Sequence, residues 1–331
     1  MFSASLSSFL IDFAPSDWLD RAISYLASLA PEHSFFAWSF NLKVVLALIL
    51  VSLCCGAIGS LVIGGRMAFF SDALAHCSFA GVSIGFLLFL VFGPLLGYEA
   101  KNESAFWTWL TIIMVFFGIL AGCGIVWVRT RTGLSSDTVI GVFFAGAVGL
   151  AAALRDLMRH RALFNLEDFL FGDPMKVTSG QLLILAGLLV FTALLLAGIY
   201  NHLMLASFNQ SLALSRRVPV QLVHYLFIVL LALIVNLCLR FVGALLINAL
   251  LIIPAATAVN LSQNMRQLFW RTIFLSLVLS LAGQWLSWDL QWSSNSQYTL
   301  GVSGTIVLLN VFAFILSMVV GPWLRARQAG S

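Results

Sequence analysis

The chain has 331 residues, of which 61% are hydrophobic and only 9% are charged. Soluble domains average about 45–50% apolar and about 25% charged residues, so this composition excludes a soluble fold, and its hydrophobicity excludes a disordered chain. The net charge of +4 is small and dispersed, and no basic run with interleaved aromatic residues indicates nucleic-acid binding. The sequence therefore predicts an all-α, polytopic membrane helix bundle.

The first 40 residues form an extension that is more mixed in character than the rest of the chain. A short helix lying in the membrane interface is predicted there, from Trp18 to Leu29. No basic start followed by an apolar run occurs, so a cleaved signal peptide is not expected. A membrane domain follows at 41–324 and a short inner tail at 325–331.

The membrane domain contains nine apolar segments, each close to the roughly 20 residues that a bilayer core requires. The sixth and seventh segments are separated only by Phe241 and Val242, which predicts a tight hairpin between them. The predicted spans are 41–64, 72–97, 106–128, 138–154, 180–203, 220–240, 243–262, 267–288 and 304–324.

Basic residues in short loops indicate the orientation of the spans. With the C-terminus inside, nine spans place the N-terminus outside. The outer loops and helix ends then hold eight basic residues and the inner side holds nine, so the basic count is nearly balanced, whereas only Asp72 and Asp137 of the 13 acidic residues lie on the inner side. The nine inner basic residues are Arg66, Arg129, Arg131, Arg216, Arg217, Arg266, Arg271, Arg325 and Arg327.

Small residues recur four positions apart in three of the spans. This spacing lets helix backbones approach closely in lipid, so helix packing is expected there. The positions are Gly81 and Gly85, Gly118 and Gly122, and the run Gly141, Ala145 and Gly149.

The sequence lacks the motifs of a membrane enzyme or an ATPase. It has no HExxH zinc-protease motif and no phosphate-binding GxxxxGK[ST] loop. The run Gly301–Gly304 resembles the GxSG of intramembrane serine proteases, but no histidine follows Ser303 to act as its base. We therefore expect no catalytic residue and no permanently bound cofactor, and any ATP must be bound by another chain.

Asp72 and His76 are the main candidate metal ligands. They lie four residues apart, so on a helix they share a face. One carboxylate and one imidazole suit zinc, manganese or iron(II), and a charge inside a membrane helix usually marks a pathway or a partner. Two other interpretations remain at this point: Asp72 caps a helix start, or His76 is a satisfied core histidine. Two ligands are also too few to complete a coordination shell.

Two further segments are candidates for transport. The loop around Ser207–Arg217 is basic and predicts a short surface helix that docks on a soluble partner, although an ordinary basic inner loop explains it as well. Pro254 lies inside the seventh apolar segment, where its missing N–H and its ring kink a helix. Such kinks often line a pathway, but many only fit packing.

Several blocks of the chain resemble the membrane permeases of metal-ion ABC importers, the ABC-3 type family of zinc, manganese and iron uptake systems. The resemblance covers roughly 40–324 and keeps the family's order. Its blocks are 66–85, which contains Asp-Ala-Leu-Ala-His, then 136–142, 169–173 and 243–258, which ends in Ile-Ile-Pro-Ala-Ala-Thr-Ala.

The resemblance implies a permease that works as a homodimer in a bacterial inner membrane. Each copy would carry a cytoplasmic ABC ATPase subunit, and an extracytoplasmic metal-binding protein would deliver the ion. Asp72 and His76 would be ligands in the pathway. The coupling segment to the ATPase would contain Ser207, Phe208, Asn209, Ala213, Arg216 and Arg217.

The sequence departs from the family pattern in three places. In the coupling segment Asn209 replaces an aspartate, and Arg217 falls near a position that is usually glycine. The segment 289–303 is longer than usual, with Val302 near a proline position, and the N-terminal extension is also long.

One alternative function remains: a stand-alone channel or a secondary transporter for divalent cations. The dependence of uptake on ATP and on a partner ATPase distinguishes that alternative from an importer permease.

Overall fold

The computed structural model describes residues 16–31, 34–65, 67–93, 103–158, 172, 177–208, 213, 215–293 and 301–329. Within these ranges the chain is helical and contains no strand, which confirms the predicted fold class. The helices are α1 Ser16–Ser28, α2 Ser39–Gly64, α3 Ala68–Phe92, α4 Glu103–Thr132, α5 Ser136–Met158, α6 Ser179–Phe208, α7 Val220–Val242, α8 Ala244–Leu261, α9 Met265–Ser293 and α10 Val302–Ala329.

In the described part of the chain, α2 to α10 are long and apolar enough to cross a membrane, whereas α1 is not. These nine helices match the nine spans predicted from the sequence. The ends of the helices differ from the predicted ends of the spans where polar residues extend a helix beyond its apolar run. For example, α4 continues through Arg129 and Arg131 to Thr132, because straight-chain basic residues are good helix formers.

The junction between α7 and α8 is shorter than predicted. The sixth span continues through Phe241 and Val242, and only Gly243 separates it from α8. Gly243 has a φ of +83°, a conformation that residues with a Cβ rarely adopt. Gly172 packs against this junction, since a Cβ on Gly172 would collide with the carbonyl group of Val242. It is the only described residue of the 169–173 block.

The helices form two compact units. The first contains α3 from Phe69, α4, α5 and the central part of α7, His224–Leu237. The second contains α1 from Leu19, together with α2, α6, α8, α9, α10 and the two ends of α7.

In the first unit, α4 packs against both α3 and α7 at glycines of α3 and of α4 itself. A Cβ on Gly81 of α3 would lie 3.0 Å from the Cβ of Phe117, and one on Gly122 of α4 would lie 3.1 Å from Ile228 on α7. The packing predicted for these two glycine pairs is therefore confirmed. Lipid tails are as apolar as the side chains, so close fit rather than the hydrophobic effect holds such helices together.

The third run of small residues behaves differently. A Cβ on Gly141 or Gly149 of α5 would meet no atom within 4 Å, and Ala145 between them is exposed. The prediction that this run packs against another helix is therefore wrong for the described part of a single chain. Of the nine spans, α5 is the least buried.

In the second unit, α2, α8, α9 and α10 meet through glycines at which backbones approach closely. The hydroxyls of Ser52 and Ser280 also form a hydrogen bond of 2.7 Å between α2 and α9. The close contacts are Gly56 against Ile273, Gly59 against Leu251, Gly283 against Ile306 and Gly321 against Asn260.

Candidate metal site and coupling segment

Helix α3 carries the Asp72 and His76 pair one turn inside its start. Predicted to begin at residue 72, the helix begins at Ala68 instead, so the interpretation of Asp72 as a helix cap is wrong. The chain turns before α3 through Gly65, whose N–H bonds the carbonyl of Leu61 at 2.8 Å. Helix α3 then starts at Ala68, and the sequence from Ala68 to Ala80 contains no glycine or proline that would interrupt it.

The two side chains lie on one face of α3, as predicted. The Nε2 atom of His76 is 3.8 Å from Oδ1 of Asp72. Two ligands that each lie about 2.0–2.2 Å from a tetrahedral ion are about 3.4 Å apart, so a small adjustment of either side chain would bring both atoms to one cation. The side chain of Asp72 is 42% exposed and that of His76 is 25% exposed, so the pair is accessible and not sealed in the core.

Aromatic rings hold the imidazole of His76. The ring of Phe144 on α5 meets it edge to face with centroids 4.5 Å apart, and the ring of Phe79 lies 5.6 Å away. Edge-to-face packing of this kind is a favoured arrangement of two rings and limits the rotation of the imidazole. The sequence analysis did not identify Phe144, and no spacing pattern links it to His76, because the contact joins two different helices.

The residues that the structure describes include no cluster of three or more histidine, cysteine, aspartate or glutamate side chains suited to a metal. If Asp72 and His76 bind a metal ion, its other ligands must come from outside this set. Water, the rest of the chain or a second copy can supply them.

A buried polar network lies two residues beyond His76. The hydroxyl of Ser78 donates to Oδ1 of Asn236 on α7 at 2.6 Å and also lies 2.8 Å from the carbonyl of Leu74. The amide nitrogen of Asn236 donates to the carbonyl of Ala232 at 2.7 Å. This network fixes α3, and with it the pair, against α7. The sequence analysis missed it, although a lone asparagine in an apolar span is a signal for such a contact.

The predicted coupling segment is described in part. Ser207 and Phe208 end α6, Asn209 lies outside the described residues, and Ala213 is fully buried. Arg216 and Arg217, which follow, are exposed. The segment therefore presents two cations next to a buried anchor.

Arg217 has a φ of +55°, in the left-handed region. The N–H of Val218 bonds the carbonyl of Ala213 at 3.0 Å, five residues back. This bond and the left-handed residue define a Schellman turn, whose left-handed position is usually glycine. The structure thus gives the physical reason why glycine is the expected residue where this chain has Arg217.

Pro254 lies in the packed interior of the second unit. Helix α8 continues through it from Ala244 to Leu261, and Pro254 itself is buried. One turn earlier, Gly59 of α2 approaches the carbonyl of Leu251. This environment accounts for Pro254 through packing, and its role in a pathway stays a prediction.

The nine apolar helices of the described chain define a polytopic membrane protein, and the second of them carries the Asp72 and His76 pair. Comparison with known proteins agrees. The model of the ABC 3 transport family matches residues 37–321, and the chain belongs to that family.

Two relatives illustrate the similarity. The manganese transport system membrane protein MntC of Halalkalibacterium halodurans is 28% identical over 293 residues, which are 88% of this chain and 94% of that protein. The high-affinity zinc uptake system membrane protein ZnuB of Buchnera aphidicola is 28% identical over 283 residues, 86% of this chain and 96% of that protein.

A solved structure, PsaBC from Streptococcus pneumoniae in complex with Fab, superimposes with a TM-score of 0.69 and 26% identity. The match covers 89% of this chain and 96% of that one. The resemblance inferred from the sequence blocks is confirmed, and the chain is a multi-pass membrane permease whose family is not itself catalytic.

Proposed function

We propose that the chain is the permease subunit of a bacterial ABC importer that takes up divalent transition metal ions. Zinc is the favoured ion because one imidazole and one carboxylate suit its intermediate softness, and manganese and iron(II) come next. Membership of the ABC 3 family and relatives named for manganese and zinc support this function. The observation that carries it is the pair of donors inside α3, with 3.8 Å between Asp72 and His76.

In the proposed mechanism, Asp72 and His76 bind the ion as it crosses the membrane. An ionised carboxylate within a span costs about 2.5–3.5 kcal/mol on insertion scales, so a passing cation that neutralises it is bound favourably. The partial exposure of both side chains lets the ion enter and leave, as transport requires.

We propose that the permease acts as a homodimer. A second copy would bring a second Asp72 and His76 pair and so complete the coordination shell. The open small-residue face of α5 supports this proposal, because such faces let helices of different copies approach closely. Phe144 on the same helix contacts His76, which places the pair near that face.

The remaining partners lie on the two sides of the membrane. In the proposed orientation the N-terminus is outside and the C-terminus inside, so the exposed Arg216 and Arg217 face the cytoplasm. There the segment from Ser207 to Arg217 would dock on a separate ATPase subunit, whose ATP hydrolysis drives alternating access. An extracytoplasmic binding protein would deliver the metal.

The role of the pair is measured by metal uptake in metal-starved cells. Zinc, manganese and iron are each tested separately. The variants are Asp72→Asn and His76→Gln, which keep side-chain volume and remove a donor. Their matched controls are Asp289→Asn and His202→Gln, at exposed acid and histidine positions on α9 and α6.

We expect each site variant to lose at least about tenfold in uptake, equivalent to about 1.4 kcal/mol of binding, while the controls keep wild-type uptake. Equal amounts of protein in the membrane fraction are required for the comparison. Wild-type uptake in both site variants would overturn the site. Uptake that persists without the partner ATPase would instead overturn the importer and favour a channel or secondary transporter.

A further inference from the structure

The N-terminal helix α1 carries apolar side chains on two sides. One side is buried within the second unit, where Ile23 is 2% exposed and Ala27 is 8% exposed. The other is open, with Tyr25 67% exposed, Leu26 55% and Leu29 65%. A helix that only packed on the membrane domain would need apolar residues on its buried side alone. The exposed apolar side chains therefore indicate a second contact, outside the described chain.

A half-exposed salt bridge and a hydrogen bond connect α1 to the starts of two spans. The carboxylate of Asp20 is 2.6 Å from Nζ of Lys43 and accepts a hydrogen bond of 2.5 Å from the hydroxyl of Ser179. Lys43 is the fifth residue of the span α2, and Ser179 is the first residue of the span α6. Both spans begin at this level, so α1 lies at the edge of the hydrocarbon layer.

Aromatic residues mark the same level. The ring of Trp288, close to the end of the span α9, packs on Phe35 and Phe40 with centroids 5.4 and 6.3 Å apart. Nearby Phe36 and Trp38 are 47% and 48% exposed. Tryptophan and other aromatic side chains gather at membrane–water interfaces, which supports the assignment of this height.

The charges of α1 indicate that it binds lipid through its apolar side chains and not through attraction to acidic headgroups. The helix contains Asp17, Asp20 and Arg21 as its charged residues, and Lys43 pairs with Asp20. No basic excess remains. Polybasic helices bind anionic headgroups, whereas a neutral helix with an exposed tyrosine and leucines binds through buried apolar area.

We propose that α1 is an interfacial helix that seats Tyr25, Leu26 and Leu29 in phospholipid, between the headgroups and the acyl chains. Asp20 holds its opposite side to the starts of α2 and α6. The helix thereby links two spans of the permease to the membrane surface on the side where those spans begin. This contact is independent of which ion the permease carries.

Site-directed spin labelling of the full-length chain in nanodiscs tests the proposal. The nanodiscs contain phosphatidylethanolamine and phosphatidylglycerol, and the half-buried Cys123 is first replaced in a Cys123→Ala background because the other four cysteines are buried. Labels are placed by Tyr25→Cys and Leu29→Cys on the open apolar face. Ser24→Cys is the matched control, on the exposed polar side of the same helix.

Collision with dissolved oxygen, which concentrates in lipid, is compared with collision with a water-soluble nickel chelate. We expect the ratio of oxygen to nickel accessibility to be at least about threefold higher at Tyr25 and Leu29 than at Ser24. Equal ratios at the three positions would place the face in water and overturn the proposal. Low accessibility to both reagents at Tyr25 and Leu29 would show a covering protein and overturn it as well.

A second measurement distinguishes lipid binding through apolar side chains from lipid binding through charge attraction. We expect the ratios at Tyr25 and Leu29 to change less than about twofold when the nanodiscs contain no phosphatidylglycerol. A larger fall in the accessibility ratio would show that anionic headgroups hold the helix. It would overturn the proposal that apolar side chains hold it in the lipid.

Discussion

The hydroxyl of Ser78 on α3 donates a hydrogen bond of 2.6 Å to Oδ1 of Asn236 on α7, inside the first unit. Both residues are fully buried, so neither can exchange this bond for one with water or lipid headgroups. Ser78 lies half a turn beyond His76. The bond therefore sets the position of the helix that carries the proposed metal ligands.

Ser78→Ala tests the strength of this bond. The substitution leaves Oδ1 of Asn236 without its donor, and interhelical hydrogen bonds in membranes contribute about 0.6 kcal/mol on average, with a maximum of about 1.7. We expect the free energy of unfolding to fall by about 0.5–1.5 kcal/mol, measured by denaturation with SDS in mixed micelles. Ser83→Ala is the control, because Ser83 bonds only its own helix through Phe79. Equal losses in the two variants would show that the bond between helices contributes nothing.

Gly118→Ala tests the contact of α4 with the same asparagine. A methyl group at Gly118 would overlap the side-chain amide of Asn236, and overpacking of this kind costs about 1–3 kcal/mol. We expect the variant to unfold at a lower temperature in detergent. Gly146→Ala on α5 meets no atom within 4 Å and is expected to keep the wild-type melting temperature. A wild-type melting temperature for Gly118→Ala would contradict the packing.

Arg217→Gly tests the left-handed turn of the coupling segment. A residue with a Cβ costs about 1 kcal/mol or more at a φ of +55°, and glycine removes that cost. We expect the free energy of unfolding to rise by about 1 kcal/mol. Arg216→Gly removes the same charge at a residue without positive φ, so no gain is expected there. If both variants gain equally, the effect comes from charge and not from the backbone.

The salt bridge of α1 makes its docking dependent on pH. Hydrogen bonds from Lys43 and Ser179, together with the charge of Lys43, hold the pKa of Asp20 below its ordinary value of 3.8, although desolvation opposes them. A carboxyl whose pKa is lower in the folded state stabilises that state above its ordinary pKa, and the stabilisation is lost as the pH falls through the lowered value.

We therefore expect α1 to stay docked from neutral pH down to about pH 4 and to loosen below it. The mobility of a spin label at Ser24 measures the docking. In the Asp20→Asn variant, the spectrum of the label at Ser24 should contain a mobile component already at neutral pH. A label that is equally immobile in both proteins at every pH would show that Asp20 does not hold the helix.

The sequence predicted the spans and the shared face of Asp72 and His76 because both depend on local patterns. Apolar runs locate helices in lipid, and a spacing of four residues places two side chains one above the other. The start of α3 at Ala68 was missed because the loop before it is short and the first turn carries no cap signal.

Contacts between helices were harder to predict. The pairing of Ser78 with Asn236, and of His76 with Phe144, joins residues far apart in the chain, and no periodicity encodes such partners. Glycine spacing predicted that α3 and α4 have close-packing faces but did not show that the equivalent face of α5 is open. A local pattern gives the face of a helix, and only the assembled structure gives its neighbour.

The glycines of the second unit have a consequence for its motion. At Gly56, Gly59, Gly283 and Gly321, α2, α8, α9 and α10 touch through backbone atoms, which cannot change rotamer as side chains do. Sliding one of these helices past another would break several fitted contacts at once. The four helices should thus behave as a single stiff body, and amide hydrogens along all of them should exchange with deuterium through one shared opening event.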